Sequence, residues 1–422
     1  MKPYKSGTCQ FALAAIGTAM CLVAGTSAAQ SSEPADHSLR ISGFGTVGVV
    51  HSAAPAGWGF RRNLDQPSSA RSTRFDVDSR LGVQANYAAT SQIELVGQVL
   101  AVRRDSDASI GDAIEWAFAA YRPNADLTFR GGRLNVDQFV MSDYRNVGFA
   151  YLYARPPIEY YGSIPSSLDG ADITRTWTLD DVHWRAKGFV GRSKVSAVTL
   201  THVFGASITR ESDGLLVRAG WTHAKFARNA DSTARLISGL EQVRALPIPS
   251  VSAEASALVS NLDLAAEPLT YATLGLTYTQ SQWQYAAEVT RVSIGNSRVN
   301  AGYASVGRRF GDLTLFAVLS GAGSSQTTLP VPAWAAVLTP VMGPALAQQA
   351  QMLGSAAASV ASFSTRQSTC SLGARWDIYP RMALKVQWDH VRVRANGGVL
   401  WSDSTNDPGS ANVATVLLDF VF

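Results

Sequence analysis

"RFDVDSRLGVQANY", residues 74–87, alternates without a fault for seven pairs. Phe75, Val77, Ser79, Leu81, Val83, Ala85 and Tyr87 share one parity; Arg74, Asp76, Asp78, Arg80, Gly82, Gln84 and Asn86 share the other. Period two marks a strand, because successive Cβ atoms point to opposite faces. It does not say which face is wet. A soluble sandwich buries the apolar parity and exposes the charges, and a membrane barrel inverts that arrangement.

Outward from this stretch, strand-like segments rich in Trp, Tyr, Val and Thr recur along the chain. They fall at 39–51, 74–88, 91–103, 112–122, 126–134, 171–180, 182–191, 195–209, 214–226, 269–280, 282–293, 299–310, 312–321, 367–378, 381–394 and 411–422. That is about sixteen, an even number, as single-chain bacterial barrels require. Short links such as "LDD" (179–181), "ESDG" (211–214), "FGD" (310–312) and "YPR" (379–381) alternate with long ones at 52–73, 135–170, 227–268, 322–366 and 395–410. A meander with brief turns at one end and long loops at the other is the layout of an outer-membrane barrel; a β-sandwich shows Greek-key crossovers instead. Residues 232–246 and 334–363 have helical spacing; one reading is loops that fold over the pore mouth, and the preferred expectation is short helices whose apolar faces pack on their own loops.

The N-terminus reads as an export signal over residues 1–29. Lys2 and Lys5 precede an uncharged apolar stretch, Phe11 to Ala24, and Ser27 and Ala29 precede a cleavage point at Gln30. Cleavage removes Cys9 and Cys21 and leaves Cys370 alone, so residues 30–422, read as one domain, form no internal disulfide. The net charge of +4 falls to +2 without the two lysines, which gives no argument for nucleic acid. No apolar run after the signal is long enough for a membrane helix. A mean hydropathy of +0.03 is also what alternating membrane strands produce on averaging.

Three features favour lipid outside and water inside. About sixteen strands close into a barrel too wide for side chains to fill. Aromatic residues, Tyr87, Trp116, Tyr121, Tyr278, Trp283, Tyr285, Trp376, Tyr379 and Trp388, cluster towards strand ends as interfacial girdles require. The chain ends "ATVLLDFVF", with Ala414, Val416, Leu418, Phe420 and Phe422 on one face. The expected fold is therefore all-β: a transmembrane antiparallel barrel of about sixteen strands, up-and-down, with long extracellular loops and short periplasmic turns.

Four stretches, "ISGFGTVGVV", "DSRLGVQANY", "LGARWDIYPRMALKVQWDHVRV" and "VLLDFVF", resemble a Gram-negative trimeric porin across most of the mature chain. That resemblance implies an outer-membrane homotrimer in lipid, assembly through the C-terminal Phe422 by the barrel-assembly machinery, and passive diffusion of small hydrophilic solutes. It implies no cofactor or metal. It also implies that the loop between the fifth and sixth strands, here 135–170, folds inward and narrows the pore, although the acidic pattern of the enterobacterial members is missing. This loop carries Asp137, Asp143, Arg145, Arg155 and Glu159, and opposed charges across a narrow pore select solutes by charge. Parity places Arg74, Asp76, Asp78, Arg80, Arg130, Arg375, Arg381 and Lys385 on the facing wall. The tally leans basic, so a mild anion preference is expected.

Two other classes compete. A phospholipase-like barrel enzyme needs a nucleophile, a His and an orienting group, yet none of the six histidines sits in a recognisable motif. A secreted soluble β-rich binding protein requires the apolar parity to be buried.

Overall fold

The computed structural model describes residues 37–422 apart from 68, 70, 105–108, 164–166, 196–197, 296, 326–328, 363 and 402–406. The expected signal at 1–29 lies outside the described residues. Sixteen long strands and one two-residue strand form a single sheet. In chain order these are β1 (Leu39–Ala53), β2 (Thr73–Arg74), β3 (Arg80–Ala88), β4 (Ile93–Val102), β5 (Ile114–Asn124), β6 (Leu127–Asn135), β7 (Ser167–Leu179), β8 (Val182–Val195) and β9 (Val198–Ser212). They continue as β10 (Leu215–Phe226), β11 (Pro268–Gln280), β12 (Trp283–Ile294), β13 (Ser297–Phe310), β14 (Leu313–Ser324), β15 (Thr365–Tyr379), β16 (Met382–Gly398) and β17 (Gly409–Val421). Each long strand pairs antiparallel with its neighbours in sequence, and β17 pairs with β1, so the sheet closes into a barrel.

The faces follow from the alternation. Outward side chains such as Leu81, Leu95, Val99, Leu274, Leu315, Leu372 and Val386 are exposed, whereas inward Thr46, Arg80, Glu94, Gln98, Glu288, Lys385, Gln387 and Asp419 are buried. An exposed apolar outer wall around a polar inner one is the inverse of a sandwich. Exposed Tyr121, Trp283, Tyr285, Trp376 and Tyr379 lie near the short-turn ends; the stacked pairs Trp177–Trp184 and Tyr278–Tyr285 join adjacent strands there, and Trp283 stacks on Tyr285 along β12. Trp116 departs from the expected girdle. It has the opposite parity to Tyr121 and pairs with inward Gln98 beside Phe118.

The stretch 74–87 is not one strand. Val50 pairs with Arg74, and Thr46 pairs with Arg80, so five residues on one side oppose three on the other. Residues 75–79 bulge into a turn closed by Ser79 Oγ, which donates to Phe75 O at 2.5 Å and accepts from Gly48 N at 3.1 Å. A two-residue excess preserves parity on both flanks, and for that reason the sequence alternates smoothly through a break. Phe75 points out, but Val77 is buried with Val50, Ile158 and Val391 inside the barrel.

Two-residue turns join the strands at the short end. Asp180 and Asp181, and likewise Asp213 and Gly214, all have positive φ, the mirror-image hairpin turns that match strand twist. Where β17 meets β1, a Cβ added to Gly43 or Gly45 would lie 2.3 Å from the ring of Phe422 or Phe420. The two glycines form the recess in which the last two aromatic rings seal the barrel.

The long loops hold helices α1 (Ile158–Tyr161), α2 (Asp231–Arg244), α3 (Pro249–Leu262), α4 (Trp334–Met342) and α5 (Pro344–Ser362). The pair α2–α3 packs on the pair α4–α5, and the expectation of helices packed on their own loops is corrected accordingly. Leu240, Leu258, Trp334, Leu338, Ala347 and Ala357 share one core, and Trp334 Nε1 donates to Glu254 at 2.7 Å. The chain is thus a barrel with a four-helix lobe built from two separate loops, because neither hairpin alone can bury its apolar stripe.

Candidate functional site

The site is the barrel interior and the loop 136–163 that enters it. The loop leaves β6, and residues 134–142 and 147–149 and 151–162 are buried almost without a break, as in a protein core. The loop meets the wall around most of the circumference. Arg155 is its most heavily engaged charge. The Arg155 guanidinium donates to both Asp78 oxygens at 2.7 and 3.1 Å, to Asp389 at 2.9 Å and to Thr415 Oγ1 at 2.5 Å, and lies over the Phe60 ring. Glu159 accepts from Ser320 at 2.7 Å, from Gln367 at 2.5 Å and from Thr369. Both residues therefore tie the loop to β14–β17.

On the opposite side Asp137 forms an ion pair with Lys187 Nζ at 2.6 Å and accepts from Arg218, with Arg185 at 3.9 Å. Burial opposes its ionisation, but Arg218, Lys187 and Arg185 hold its carboxyl well below the usual carboxylate range. Asp143 accepts from Asn135 and faces Arg185 at 3.8 Å. Between these ends, Glu288 of β12 accepts from Val140 N at 2.8 Å, Tyr303 at 2.8 Å, Tyr160 at 3.3 Å and Tyr161. Burial and the Glu288 carboxylate push Tyr161 well above its ordinary value, so it remains a donor. Around them Phe139, Tyr151, Tyr153, Tyr160, Tyr161 and Phe316 form an aromatic cluster.

Several predicted wall cations are occupied by this loop. Lys385 Nζ, fully buried, donates to the carbonyls of Gly148, Tyr151 and Tyr153 at 2.6–2.9 Å and pairs with Asp419 at 2.9 Å. Arg375 donates to Phe149 O at 2.7 Å and Tyr151 O at 3.0 Å. Arg80 donates to Asn146 O at 2.6 Å and to Tyr151 Oη at 2.9 Å. These three cations hold backbone oxygens of residues 146–153, a role that parity alone did not suggest. Arg130 lies inward, paired with Asp172 beneath Phe118. Arg74 donates to Asp76 at 2.8 Å and to Phe60 O at 2.9 Å. Asp76 sits in the bulge and not on a strand, and its side chain is 43% exposed. Arg381 is corrected: it lies in the exposed turn after Pro380, which ends β15, and is no part of the wall.

The residues missed as site members are Lys187, Arg218, Asp389 and Asp419. All four share inward parity, so alternation could have found them, but their partners depend on barrel register.

Arg145 lines a crevice of about 70 Å³ between loop 54–72, the end of β4 and loop 136–163. Arg62, Arg103 and Arg104 line it too, against Asp65 and Glu115. Partial burial and the cations Arg80 and Arg145 push Arg62 down to about 10, so it remains charged at neutral pH.

No group of three or more His, Cys, Asp or Glu side chains is arranged to hold a metal among the described residues. Outside the barrel, Cys370, His390 and Asn412 stand in register on β15, β16 and β17. His390 Nδ1 contacts Asn412 Oδ1 at 3.0 Å, but Arg392 Nε donates to His390 Nε2 at 3.3 Å, on the nitrogen a general base would use.

No protein-family model and no curated protein sequence matches the chain. Solved structures do. Salmonella typhi OmpF in complex with daunomycin aligns with a TM-score of 0.53 at 12% identity, covering 91% of this chain and 97% of that one. An anion-selective porin from Comamonas acidovorans aligns at 0.52 and 9% identity over 91% and 99%. The outer membrane channel DcaP of Acinetobacter baumannii aligns at 0.50 and 10% identity over 93% and 100%. The chain has the sixteen-stranded barrel fold of the Gram-negative outer-membrane porins.

Proposed function

We propose that the chain is an outer-membrane channel for passive diffusion of small hydrophilic solutes, with loop 136–163 as its constriction and a mild preference for anions. The observation that carries this reading is a closed barrel with an apolar exterior and a charged interior, into which loop 136–163 folds. Asp137, Asp143, Arg145, Arg155 and Glu159 belong to that constriction. Because Arg80, Arg375 and Lys385 are held by loop carbonyls, the anion preference falls to the arginines of the crevice, where four cations face two carboxylates. Residues 1–29 serve as the export signal, the chain sits in the outer membrane of a Gram-negative bacterium as a homotrimer, and Phe422 serves as the assembly signal.

A barrel enzyme is the second reading, favoured among the described residues by the Cys370–His390–Asn412 row. Arg392 on Nε2 argues against it, and so does the strand placement, which gives no pair of backbone donors for an oxyanion. Reconstituted protein in a planar bilayer tests the channel: discrete conductance steps are expected, and their absence overturns the proposal. Ester hydrolysis abolished by Cys370→Ala would favour the enzyme.

A further inference from the structure

We propose that the crevice between loop 54–72, the end of β4 and loop 136–163 is a binding site for small organic acids, a short carbon chain bearing a carboxylate. The inference rests on the channel reading and deepens it by naming a solute class.

One side of the crevice is cationic. Glu115 is engaged by Asn146 Nδ2 at 2.9 Å and by Arg104 at 4.0 Å, and Arg103 reaches Asp76 only at 3.9 Å. Arg62 has cations, Arg80 and Arg145, for neighbours, and Asp78, the carboxylate acting on it, is clasped by Arg155. Among the described residues that line the crevice, four guanidinium groups thus face two carboxylates. Such a cluster suits a carboxylate, which takes two parallel N–H bonds from a guanidinium fork. The other side is apolar, made by Leu100, Val102 and Pro156 with the Tyr161 ring. Inorganic phosphate has nothing to place there, whereas a hydrocarbon tail is desolvated. A crevice of about 70 Å³ accommodates about five water-sized spheres, so the occupant has roughly that many heavy atoms, as butyrate does.

The test uses the full chain in a planar bilayer carrying potassium chloride current. Potassium butyrate added on the long-loop side should reduce the current saturably, and potassium phosphate at equal ionic strength should not. Arg62→Gln with Arg103→Gln should weaken the apparent affinity by at least about tenfold, the loss of charge-assisted hydrogen bonds; Leu100→Thr should weaken butyrate more than formate. Heat-modifiable migration confirms that each variant has folded. Equal block by phosphate overturns the organic-acid class. A conducting channel without saturation, or block unchanged in the double variant, overturns the site and leaves the channel reading standing. No conductance at all overturns the channel reading; butyrate titrated calorimetrically into the detergent-solubilised protein then decides the site, and absence of heat overturns it.

Discussion

Removing the Arg155 side chain should unseat the far end of loop 136–163 without opening the barrel. Arg155 is 2% exposed and its partners Asp78 and Asp389 are 0% and 5% exposed. Arg155→Ala therefore leaves two buried carboxylates without their cation, and breaking such a pair costs about 3–5 kcal/mol. At about 1.4 kcal/mol per tenfold, the seated loop loses roughly two to three and a half powers of ten against its detached state. Lys385 still holds residues 148–153, Glu288 still holds Val140, Tyr160 and Tyr161, and Glu159 keeps its contacts to β14 and β15, so the detachment is confined to residues around 154–158. Deuterium exchange of peptides from that segment should accelerate by at least about a hundredfold, and single-channel conductance should rise and grow noisy. Arg155→Lys should fall between the two, since an ammonium keeps the charge but not the fork. Wild-type exchange and conductance in Arg155→Ala would refute the clasp as the anchor.

Gly45→Val places a side chain where the Phe420 ring lies and should lower the folded, heat-modifiable fraction by an overpacking cost of about 1–3 kcal/mol; Phe420→Ala in the same chain should restore it. Trp334→Ala, at the centre of the helical lobe, should cost about 3–5 kcal/mol there, with loss of helical circular dichroism while the strand signal and conductance persist. Arg62 sits near 10 because partial burial and neighbouring cations disfavour its charge. A base lowered in this way loses its proton as pH rises, so the anion preference should stay level from neutral pH to about 9 and decline through about 10, read as a shift in reversal potential.

The architecture was legible because alternation is a local property and the long and short links sort the strands by direction. The wet side followed from the aromatic ends and the closing "VLLDFVF", whose rings prove to fill the recess of Gly43 and Gly45. The bulge at 75–79 was hidden, since two extra residues leave parity intact and Val77 then enters the interior unannounced. Arg381 carried the right residue type and parity but lies beyond Pro380, outside the ladder. The seats of Lys385, Arg375 and Arg80 were not legible, because each depends on where a distant loop lies across a closed barrel. The lobe was half legible: helical spacing gave the helices, but only the closure of the sheet brings loops 227–267 and 325–364 together.

The central claim is a water-filled passage through this barrel. Its most direct test is the current through single reconstituted molecules under a potassium chloride gradient. Discrete, ohmic steps with a reversal potential displaced towards the chloride equilibrium value are predicted; a silent bilayer containing heat-modifiable, folded protein would contradict it.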